Sequence, residues 1–365
     1  MKILVLANFG MGLYNFRKEL LEELIKQNHE VFISLPNDEY VPKLESLGCR
    51  FINTPVSRRG TNPLTDLKLL MNYKKIIKNV KPDVVLTYTI KPNVYGGLAC
   101  RLANVPYLAN ITGLGTAVEN GGFLQKITLL LYRVSLKKAK CVFFQNKENE
   151  GFLTKKKIIK GKHKILPGSG VNLNHYELLD YPSDENINFL FISRVMKEKG
   201  IEQYIDAATY IKKKYPNTVF HIVGFCEDEY ENKLKLLEDK GIIKYHGKQS
   251  DVREFHKISH CTIHPTYYPE GMSNVLLESA ACGRPIITTN RSGCREIVDD
   301  RVNGYVIEQK NSQDLINKIE KFLELDYESK KQMGIAGRIK VENEFDRQIV
   351  VNSYLSLIDK GIEVT

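Results

Sequence analysis

The chain has 365 residues, of which 42% are hydrophobic and 26% charged. A chain of this length and composition can bury a sizeable core in about two domains. The composition excludes a disordered chain, a collagen-like repeat and a small disulfide scaffold. Its formal net charge of +10 is uneven, because residues 1–180 hold 27 lysines and arginines against 14 acidic residues, whereas residues 181–365 hold 26 against 29. A basic amino-terminal half favours phosphorylated ligands, polyanions or an anionic membrane as partners; no zinc finger or RNP motif accompanies it, so we expect no nucleic acid.

Short apolar runs alternate with amphipathic segments along the first half of the chain. The runs predict strands, and helical spacing of the apolar residues predicts helices. Gly10 and Gly12 are expected to form a turn between the first strand and the first helix. In chain order the sequence predicts strand 2–8, helix 15–27, strand 31–35, helix 39–47, strand 50–56, helix 64–79, strand 83–89, helix 93–103, strand 107–112, helix 122–138 and strands 141–146 and 163–168.

The pattern restarts after a turn-rich segment at 169–187. It predicts strands 188–193, 218–224, 244–247, 261–265 and 285–289, and helices 199–213, 229–239, 251–257, 272–282, 311–323, 327–343 and 346–360. Two such blocks predict an α/β fold with two doubly wound, Rossmann-like domains, residues 1–170 and 187–345, and a last helix, about 346–365, that packs back on the first. Because such sheets bind ligands at the carboxyl ends of their strands, we expect the domains to face an interdomain cleft.

The cysteines and the apolar runs indicate the compartment. Seven scattered cysteines without a CxxC pair favour neither a disulfide framework nor a zinc site, so we expect reduced thiols in a cytoplasmic protein. No export signal opens the chain, and apolar runs such as 129–131 are far shorter than the ~18–20 residues of a membrane span. We expect a protein that at most lies on a membrane.

Two motifs of the second half place charged groups beside predicted strand and helix ends. Arg194 and Lys199 follow strand 188–193, where two cations could hold a diphosphate as negative charge develops on it. Taken by itself, such a pair is more often simply two solvated charges. Glu270 and Glu278 flank a helix start whose small residues suit a phosphate. Carboxylates there can accept hydrogen bonds from sugar or ribose hydroxyls, although an isolated pair could also be merely structural.

Together these motifs resemble the family-4 retaining glycosyltransferases of GT-B type. In that family the first glutamate lies near the transferred sugar, the second binds the nucleotide ribose, and the R-x4-K pair binds the donor diphosphate. The resemblance implies a UDP-sugar donor, no metal and no further cofactor, and three catalytic residues, Glu270, Arg194 and Lys199. It implies that the donor is bound by Gly12, Gly247, Lys248, Gly271, Met272, Ser273, Asn274, Val275 and Glu278.

Segments of the first half narrow the resemblance to a bacterial subgroup. They are residues 12–17, 36–40, 57–63 and 111–116. Members of the subgroup add N-acetylgalactosamine or related sugars to undecaprenyl-diphosphate-linked intermediates for capsule, O-antigen, exopolysaccharide or glycoprotein glycans. The resemblance therefore implies transfer of a hexose or N-acetylhexosamine to a polyprenyl-diphosphate-linked saccharide at the inner face of the plasma membrane. A dinucleotide-binding turn at Gly10–Gly12 is the alternative, but the third glycine of that fingerprint is absent.

Acceptor binding is assigned to four residues, Arg58, Arg59, Lys91 and Asn93. Many relatives carry a histidine near the end of the fourth strand, where this chain has Ile90, and Lys91 and Asn93 are the candidates to replace its contact. A solvated basic loop is the alternative for Arg58 and Arg59.

Helix 122–138 and the cations around its apolar residues, Lys126, Arg133, Lys137, Lys138 and Lys140, suit an anionic membrane interface, although such an apolar stripe more often faces the core. Two other functions stay open. A UDP-N-acetylglucosamine 2-epimerase shares the architecture and the donor, and a basic binding protein for polysaccharide or nucleic acid would need neither Arg194 nor Glu278.

Overall fold

The computed structural model describes residues 1–57, 60, 62–115, 118, 121–226 and 228–359, so Arg58 and Arg59 lie outside the described residues. The chain divides into two compact units. The first unit comprises Met1–Gly170 with Arg347–Thr365, and the second comprises Val171–Asp346. Each unit has its own parallel sheet and its own buried core, which confirms the predicted α/β class with two Rossmann-like sheets.

The first unit is built on a seven-stranded parallel sheet. Its strands are β1 (Lys2–Leu6), β2 (Glu30–Leu35), β3 (Arg50–Asn53), β4 (Val84–Tyr88), β5 (Tyr107–Ile111), β6 (Cys141–Phe144) and β7 (His163–Ile165). The order is β3-β2-β1-β4-β5-β6-β7. The central strands are buried apolar runs, as expected of a parallel sheet that is covered on both faces. The strand order reverses its direction between β1 and β4, which is the topological switch point of this sheet.

In the part of the chain that the structure describes, helices and one π-helical turn cover this sheet before residue 170. They are α1 (Gly10–Lys26), α2 (Val41–Ser46), α3 (Pro63–Val80), the π-helical turn Pro92–Gly96, α4 (Gly97–Ala103), α5 (Gly122–Ser135) and α6 (Lys147–Lys155). Local capping sets the start of α3, because the side chain of Asn62 accepts a hydrogen bond from the backbone N–H of Leu64 and Pro63 occupies the first helical position.

The second unit repeats the architecture with six parallel strands in the order β10-β9-β8-β11-β12-β13. The strands are β8 (Ile187–Ile192), β9 (Thr218–Val223), β10 (Lys244–Tyr245), β11 (Cys261–His264), β12 (Ile286–Thr289) and β13 (Gly304–Ile307). The helices are α7 (Ile201–Lys214), α8 (Asp228–Asp239), α9 (Arg253–Ile258), α10 (Asn274–Ala281), α11 (Ser312–Leu323) and α12 (Tyr327–Glu344). Aromatic packing fills the core; for example, the rings of Phe189 and Phe220 stack at 5.0 Å.

The last helix, α13 (Arg347–Ile358), belongs to the first unit and packs against α1. The ring of Tyr354 lies 4.5 Å from that of Phe143, and its hydroxyl accepts a hydrogen bond of 2.8 Å from Nδ2 of Asn110. At the start of the helix Arg347 forms an ion pair of 2.8 Å with Glu19 of α1. These contacts fix α13 to the sheet and to α1.

The start of α1 corrects the predicted turn at Gly10 and Gly12, since both residues lie in the first turn of the helix. The backbone N–H of Gly10 donates a hydrogen bond of 2.6 Å to Oδ2 of Asp38. A Cβ at Gly10 would lie only 2.4 Å from Oδ1 of the same carboxylate. Glycine is therefore present here for a close approach to Asp38, not to break the helix.

Other boundaries also differ from the sequence prediction. Strand β4 ends at Tyr88 because Thr89 adopts a left-handed φ of +72°. The helix expected at 93–103 is a π-helical turn followed by α4. The sequence prediction missed α6 and β13, which are short elements with weak periodicity.

Candidate active site

The loop between β8 and α7 positions both cations of the first motif. It begins after Ile192, carries Arg194, and contains a 3-10 turn at Lys197–Lys199. Gly200 follows with φ +80°, and a Cβ there would lie 2.1 Å from the carbonyl oxygen of Pro265. Only glycine allows the loop to pack this closely against the end of β11, so Lys199 is held beside the segment that carries Glu270.

Lys199 and Glu270 form a largely buried ion pair. Nζ of Lys199 donates to Oε1 of Glu270, and the two side chains are only 12% and 16% exposed. Burial of such a pair removes water from both charges, so loss of either partner would leave an uncompensated charge inside the site. The structure thus brings together two residues that the sequence analysis selected from separate motifs.

The ring of Tyr268 lies beside both predicted catalytic cations, and Glu270 joins them through its ion pair with Lys199. Nζ of Lys199 lies 4.8 Å from the ring centroid and Cζ of Arg194 lies 5.7 Å from it. Both distances are within the range of cation–π attraction. The sequence analysis missed Tyr268, although the aromatic pair at 267–268 directly before Pro269 and Glu270 was a usable signal.

His264 lies buried at the end of β11, next to Lys199. Burial, reinforced by the positive charge of Lys199, lowers the pKa of His264 to about 3. The imidazole is therefore neutral at neutral pH and adds no charge to the site. Arg194 and Lys199 with Glu270 leave an excess of positive charge, which suits an anion such as a diphosphate.

The start of α10 differs in detail from the predicted helix 272–282. The helix begins at Asn274, and Ser273 is its N-cap residue in an extended conformation. Its N–H donates a hydrogen bond of 2.8 Å to the carbonyl oxygen of Gly293. Gly271 and Met272 consequently precede the helix, and the side chain of Met272 is buried in the apolar core rather than in the site.

Glu278 lies on α10 and belongs to a second cluster, with Tyr176. Burial, followed by the charge of Glu278, raises the pKa of Tyr176 well above its ordinary range. The hydroxyl therefore stays protonated and can donate its hydrogen bond to the carboxylate. Tyr176 was missed because it lies in the turn-rich segment about 100 residues before its partner. Tyr176 is thus a neighbour of Glu278 that motif spacing does not reveal.

The remaining predicted donor residues occupy turns and helix starts. Val275 and Asn274 are half-buried in the first turn of α10, and Lys248 is exposed after Gly247, which has φ +64°. Gly12 belongs to the first unit, where a Cβ would lie 2.6 Å from Cζ of Phe9. The contact of Gly12 in this structure is with an aromatic ring of its own unit.

The acceptor candidates Lys91 and Asn93 both make structural contacts. Nζ of Lys91 lies 2.6 Å from Oδ1 of Asp66. The other carboxylate oxygen, Oδ2 of Asp66, accepts a hydrogen bond from the hydroxyl of Tyr95. Asn93 is buried; it accepts from Thr87 at 2.6 Å and donates to the carbonyl oxygen of Asn110 at 2.8 Å. These bonds hold the π-helical turn in place. Acceptor binding by Lys91 and Asn93 stays a prediction.

The described residues contain no cluster of three or more histidine, cysteine or acidic side chains that could hold a metal ion. The seven cysteines are buried free thiols. In the part of the chain that the structure describes, no helix has both the length and the apolar character needed to cross a membrane.

Two protein-family models match the chain in succession. A glycosyl transferase 4-like model matches residues 2–146, and the model for glycosyl transferases group 1 matches residues 181–340. The second range contains all three predicted catalytic residues. The chain is a glycosyltransferase. The alternative of a 2-epimerase is not supported, because the family models and the relatives named below are glycosyltransferases.

Individual relatives agree with the family assignment. This glycosyltransferase is 29% identical to the N,N'-diacetylbacillosaminyl-diphospho-undecaprenol alpha-1,3-N-acetylgalactosaminyltransferase of Campylobacter jejuni, over 381 aligned positions and 100% of both chains. It is 26% identical to an Escherichia coli UDP-Gal:alpha-D-GlcNAc-diphosphoundecaprenol alpha-1,3-galactosyltransferase over 82% of both chains.

Solved structures share the fold of the glycosyltransferase. HepE of Anabaena, in complex with UDP, superposes with a TM-score of 0.79 at 19% identity, covering 99% of this chain and 100% of that one. The sucrose-phosphate synthase of Thermosynechococcus elongatus superposes with a TM-score of 0.81 at 19% identity, covering 99% and 98%. The fold is GT-B, as the sequence resemblance implies.

Proposed function

We propose that this glycosyltransferase transfers a hexose or N-acetylhexosamine, with retention, from a UDP-sugar to a polyprenyl-diphosphate-linked saccharide. The observation that carries the proposal is that Arg194 and Lys199 both lie beside the ring of Tyr268 while Lys199 pairs with Glu270. The Campylobacter and Escherichia coli relatives are both named for a diphosphoundecaprenol-linked acceptor, which supports the same acceptor class here. The product would serve the assembly of capsule, O-antigen or a related glycan.

Arg194 and Lys199 bind the donor diphosphate in the proposed mechanism. They neutralise the charge that develops as the bond between the sugar anomeric carbon and the UDP oxygen breaks. A hydroxyl of the acceptor attacks the anomeric carbon from the same face, and its proton passes to the departing phosphate oxygen. This front-face route gives retention without a covalent enzyme intermediate, and it needs no metal ion because the two cations do the electrostatic work.

Glu270 and Glu278 position the donor. Glu270 supports the transferred sugar, and its ion pair with Lys199 holds both side chains ready before the donor binds. Glu278, oriented by the hydroxyl of Tyr176, accepts hydrogen bonds from the ribose. We assign the acceptor to the first unit, since residues 1–180 carry the positive excess and the donor cluster lies in the second unit.

Substitution of Glu270 tests the function. We expect UDP release by the purified protein to require both a UDP-sugar and a lipid-linked saccharide acceptor. Glu270→Ala and Lys199→Ala should each lower kcat/KM about 100-fold or more, because each leaves its partner charge buried and the developing charge less stabilised. Glu254→Gln, at an exposed carboxylate of α9, is the control. Turnover that persists unchanged in Glu270→Ala, or sugar interconversion without any acceptor, would contradict the proposal.

We further propose that the first unit docks on an anionic membrane through α5. The exposed side of α5 is apolar: Phe123 is 79% exposed, and Ile127, Leu130 and Val134 continue the same face. The buried residues of the helix are instead Thr128, Tyr132 and Ser135. The apolar stripe that the sequence analysis left open between core and surface therefore faces outwards.

Charge complements this apolar face. Residues 122–140 contain no acidic residue, and their cations are Lys126, Arg133, Lys137, Lys138 and Lys140. Helix α3 adds a second exposed stripe, Leu64, Leu67 and Met71, and both helices pack on the π-helical turn. Apolar side chains flanked by cations suit the interface of an anionic bilayer, where a lipid-linked acceptor resides.

A further inference from the structure

The carboxyl ends of β1 and β4 in the first unit carry polar groups that the fold leaves unsatisfied. The two strands are neighbours in the sheet, although β2 and β3 separate them along the chain. Doubly wound sheets open a crevice at such a switch point. Asn8 follows β1 and Thr89 follows β4, and both Oδ1 of Asn8 and Oγ1 of Thr89 are buried without a hydrogen-bond partner. Thr89 also holds a left-handed backbone at φ +72°, which is strained for a β-branched residue.

Arg17 brings a buried positive charge to the same place. Its side chain is only 4% exposed, and its Cζ lies 5.1 Å from the ring centroid of Tyr88, the last residue of β4. A helical side chain points back towards the start of its helix, so Arg17 reaches from the interior of α1 to the carboxyl edge of the sheet. We call the group formed by Asn8, Arg17, Tyr88 and Thr89 the switch-point cluster.

The charge of Arg17 has no carboxylate partner among the described residues of the chain. Nη1 donates to the carbonyl oxygen of Phe16 at 2.6 Å, and Nε has no partner. Burial raises the pKa of both Tyr88 and Tyr354 above the ordinary value, so neither hydroxyl supplies a negative charge. A guanidinium stays protonated, and a buried charge without a counter-ion costs folding free energy. Such a cost is retained where a ligand supplies the missing charge.

We propose that the switch-point cluster binds the sugar-diphosphate portion of the lipid-linked acceptor, with Arg17 as the counter-charge of the diphosphate. Thr89 donates its hydroxyl to a phosphate oxygen, and Oδ1 of Asn8 accepts from a hydroxyl of the attached sugar. The N–H of Gly10 donates to Asp38, so this group is not available to a phosphate. The inference rests on the proposed function, because the acceptor is the substrate that function assigns to this unit.

A UDP-sugar is also a sugar diphosphate, so the test must separate the two substrates. We would measure the KM for a polyprenyl-diphosphate-linked saccharide, the Kd for UDP and the Tm of the full chain for Arg17→Gln, Arg17→Lys and Thr89→Val. Lys18→Gln is the matched control, because Lys18 is the next residue of α1 and its half-exposed side chain pairs with Glu22.

We expect Arg17→Gln to raise the acceptor KM at least 10-fold, Arg17→Lys and Thr89→Val to raise it less, and Lys18→Gln to leave it unchanged. The Kd for UDP should change less than 2-fold, and Tm should not fall in Arg17→Gln, since that variant removes an unpaired buried charge. An unchanged acceptor KM would overturn the inference. A fall in Tm together with weaker UDP binding would also overturn it, because it would mark Arg17 as a structural cation.

Binding of farnesyl diphosphate to the full chain tests the switch-point cluster independently of the proposed function. The wild-type protein should bind this probe, and Arg17→Gln should lose at least 10-fold in affinity. If the protein transferred no sugar to any lipid-linked acceptor but this difference persisted, the proposed function would fail and the anion site would stand. Equal binding of the probe by both proteins, alongside normal transfer, would reject the site alone.

Discussion

At the scale of single residues, Tyr268 connects two motifs that lie far apart along the chain. Lys199 and Glu270 are 71 positions apart, yet their side chains meet beside its ring. Arg194 approaches the ring from the same loop as Lys199. An aromatic face that attracts two cations keeps them close despite their mutual repulsion. We infer that Tyr268 is a positioning residue, which acts through the cations.

Two substitutions of Tyr268 should separate the contribution of its ring to activity from that of its hydroxyl. Tyr268→Ala removes the ring face and should lower kcat/KM about 10-fold, because each cation–π contact contributes about 0.5–2 kcal/mol. Tyr268→Phe keeps the face and should change kcat/KM less than 2-fold. Steady-state UDP release with varied donor concentration gives both values.

Tyr210→Ala on α7 is the control for loss of an exposed tyrosine. If Tyr268→Ala retained wild-type activity, the placement of Arg194 and Lys199 would not depend on the ring. A loss in Tyr268→Phe as large as that in Tyr268→Ala would assign the effect to the hydroxyl instead.

At the scale of elements, the described part of the second unit buries four histidines, which lie within β9, directly before β11, at the end of β11 and on α9. Burial lowers the pKa of each, to about 4 for His221 and His260 and to about 3 for His256 and His264. His221 is further held by His246 at 2.9 Å and by Asn188 at 3.0 Å. These histidines are neutral in the folded unit and would take up protons on unfolding below their ordinary pKa of about 6.5.

We expect mild acid to destabilise the protein. Because the folded pKa values are lowered, the stabilising contribution is complete above about pH 6.5 and is lost as the pH falls towards 4. Between these values each histidine removes about 1.4 kcal/mol of unfolding free energy per pH unit. Calorimetry at pH 7.5 and pH 5.0 should therefore show a clear fall in Tm. The two pH values lie above the range in which most carboxylates titrate.

His221→Asn should lower the number of protons taken up on unfolding by about one, because it removes one of the four histidines, and the fall in Tm should be smaller. His163→Asn in the first unit is the control, since that side chain is not buried in the second sheet. A Tm that stays constant from pH 7.5 to pH 5.0 would show that the histidines are not held neutral.

At the scale of the whole molecule, most of the residues that carry the positive excess belong to the same unit as the outward face of α5. The positive excess belongs to residues 1–180, and α5 lies within this range. Each basic residue close to an anionic bilayer contributes about 1 kcal/mol, an attraction that salt screens over about 10 Å at 0.1 M. Electrostatic attraction and apolar insertion should therefore act together.

We expect the protein to sediment with vesicles that contain anionic lipid and to be released by high salt. Reversal of charge in Lys137→Glu with Lys138→Glu should weaken binding at least 10-fold at low salt. Phe123→Ser with Leu130→Ser should weaken vesicle binding with little change in its salt dependence. These apolar side chains insert into the bilayer and make no electrostatic contact with the anionic lipid.

Leu236→Ser on α8 is the control for an exposed apolar residue of the second unit. Vesicle binding that is absent at low ionic strength, or that survives both double substitutions, would remove the membrane proposal. The assignment of Arg194, Lys199 and Glu270 to the donor would be unaffected, because these residues lie in the other unit.

Most of the fold could be predicted from the sequence alone. The strands of parallel sheets are continuous apolar runs, and the helices between them repeat every 3.6 residues, so local periodicity predicts both. The motifs containing Arg194, Lys199, Glu270 and Glu278 are also local patterns, and they predicted which side chains would surround the candidate site. Composition and charge added the uneven distribution of cations.

Tertiary structure decided the partners of those residues and the direction in which surfaces face. Three contacts join segments that no local spacing relates. They are the contacts of Gly10 with Asp38, of Lys91 with Asp66 and of Glu278 with Tyr176. Periodicity likewise shows that α5 has an apolar stripe, but the stripe faces outwards because Thr128 and Tyr132 pack inwards instead. The sequence pattern determines which face is apolar, whereas only the packing of distant segments determines what that face meets.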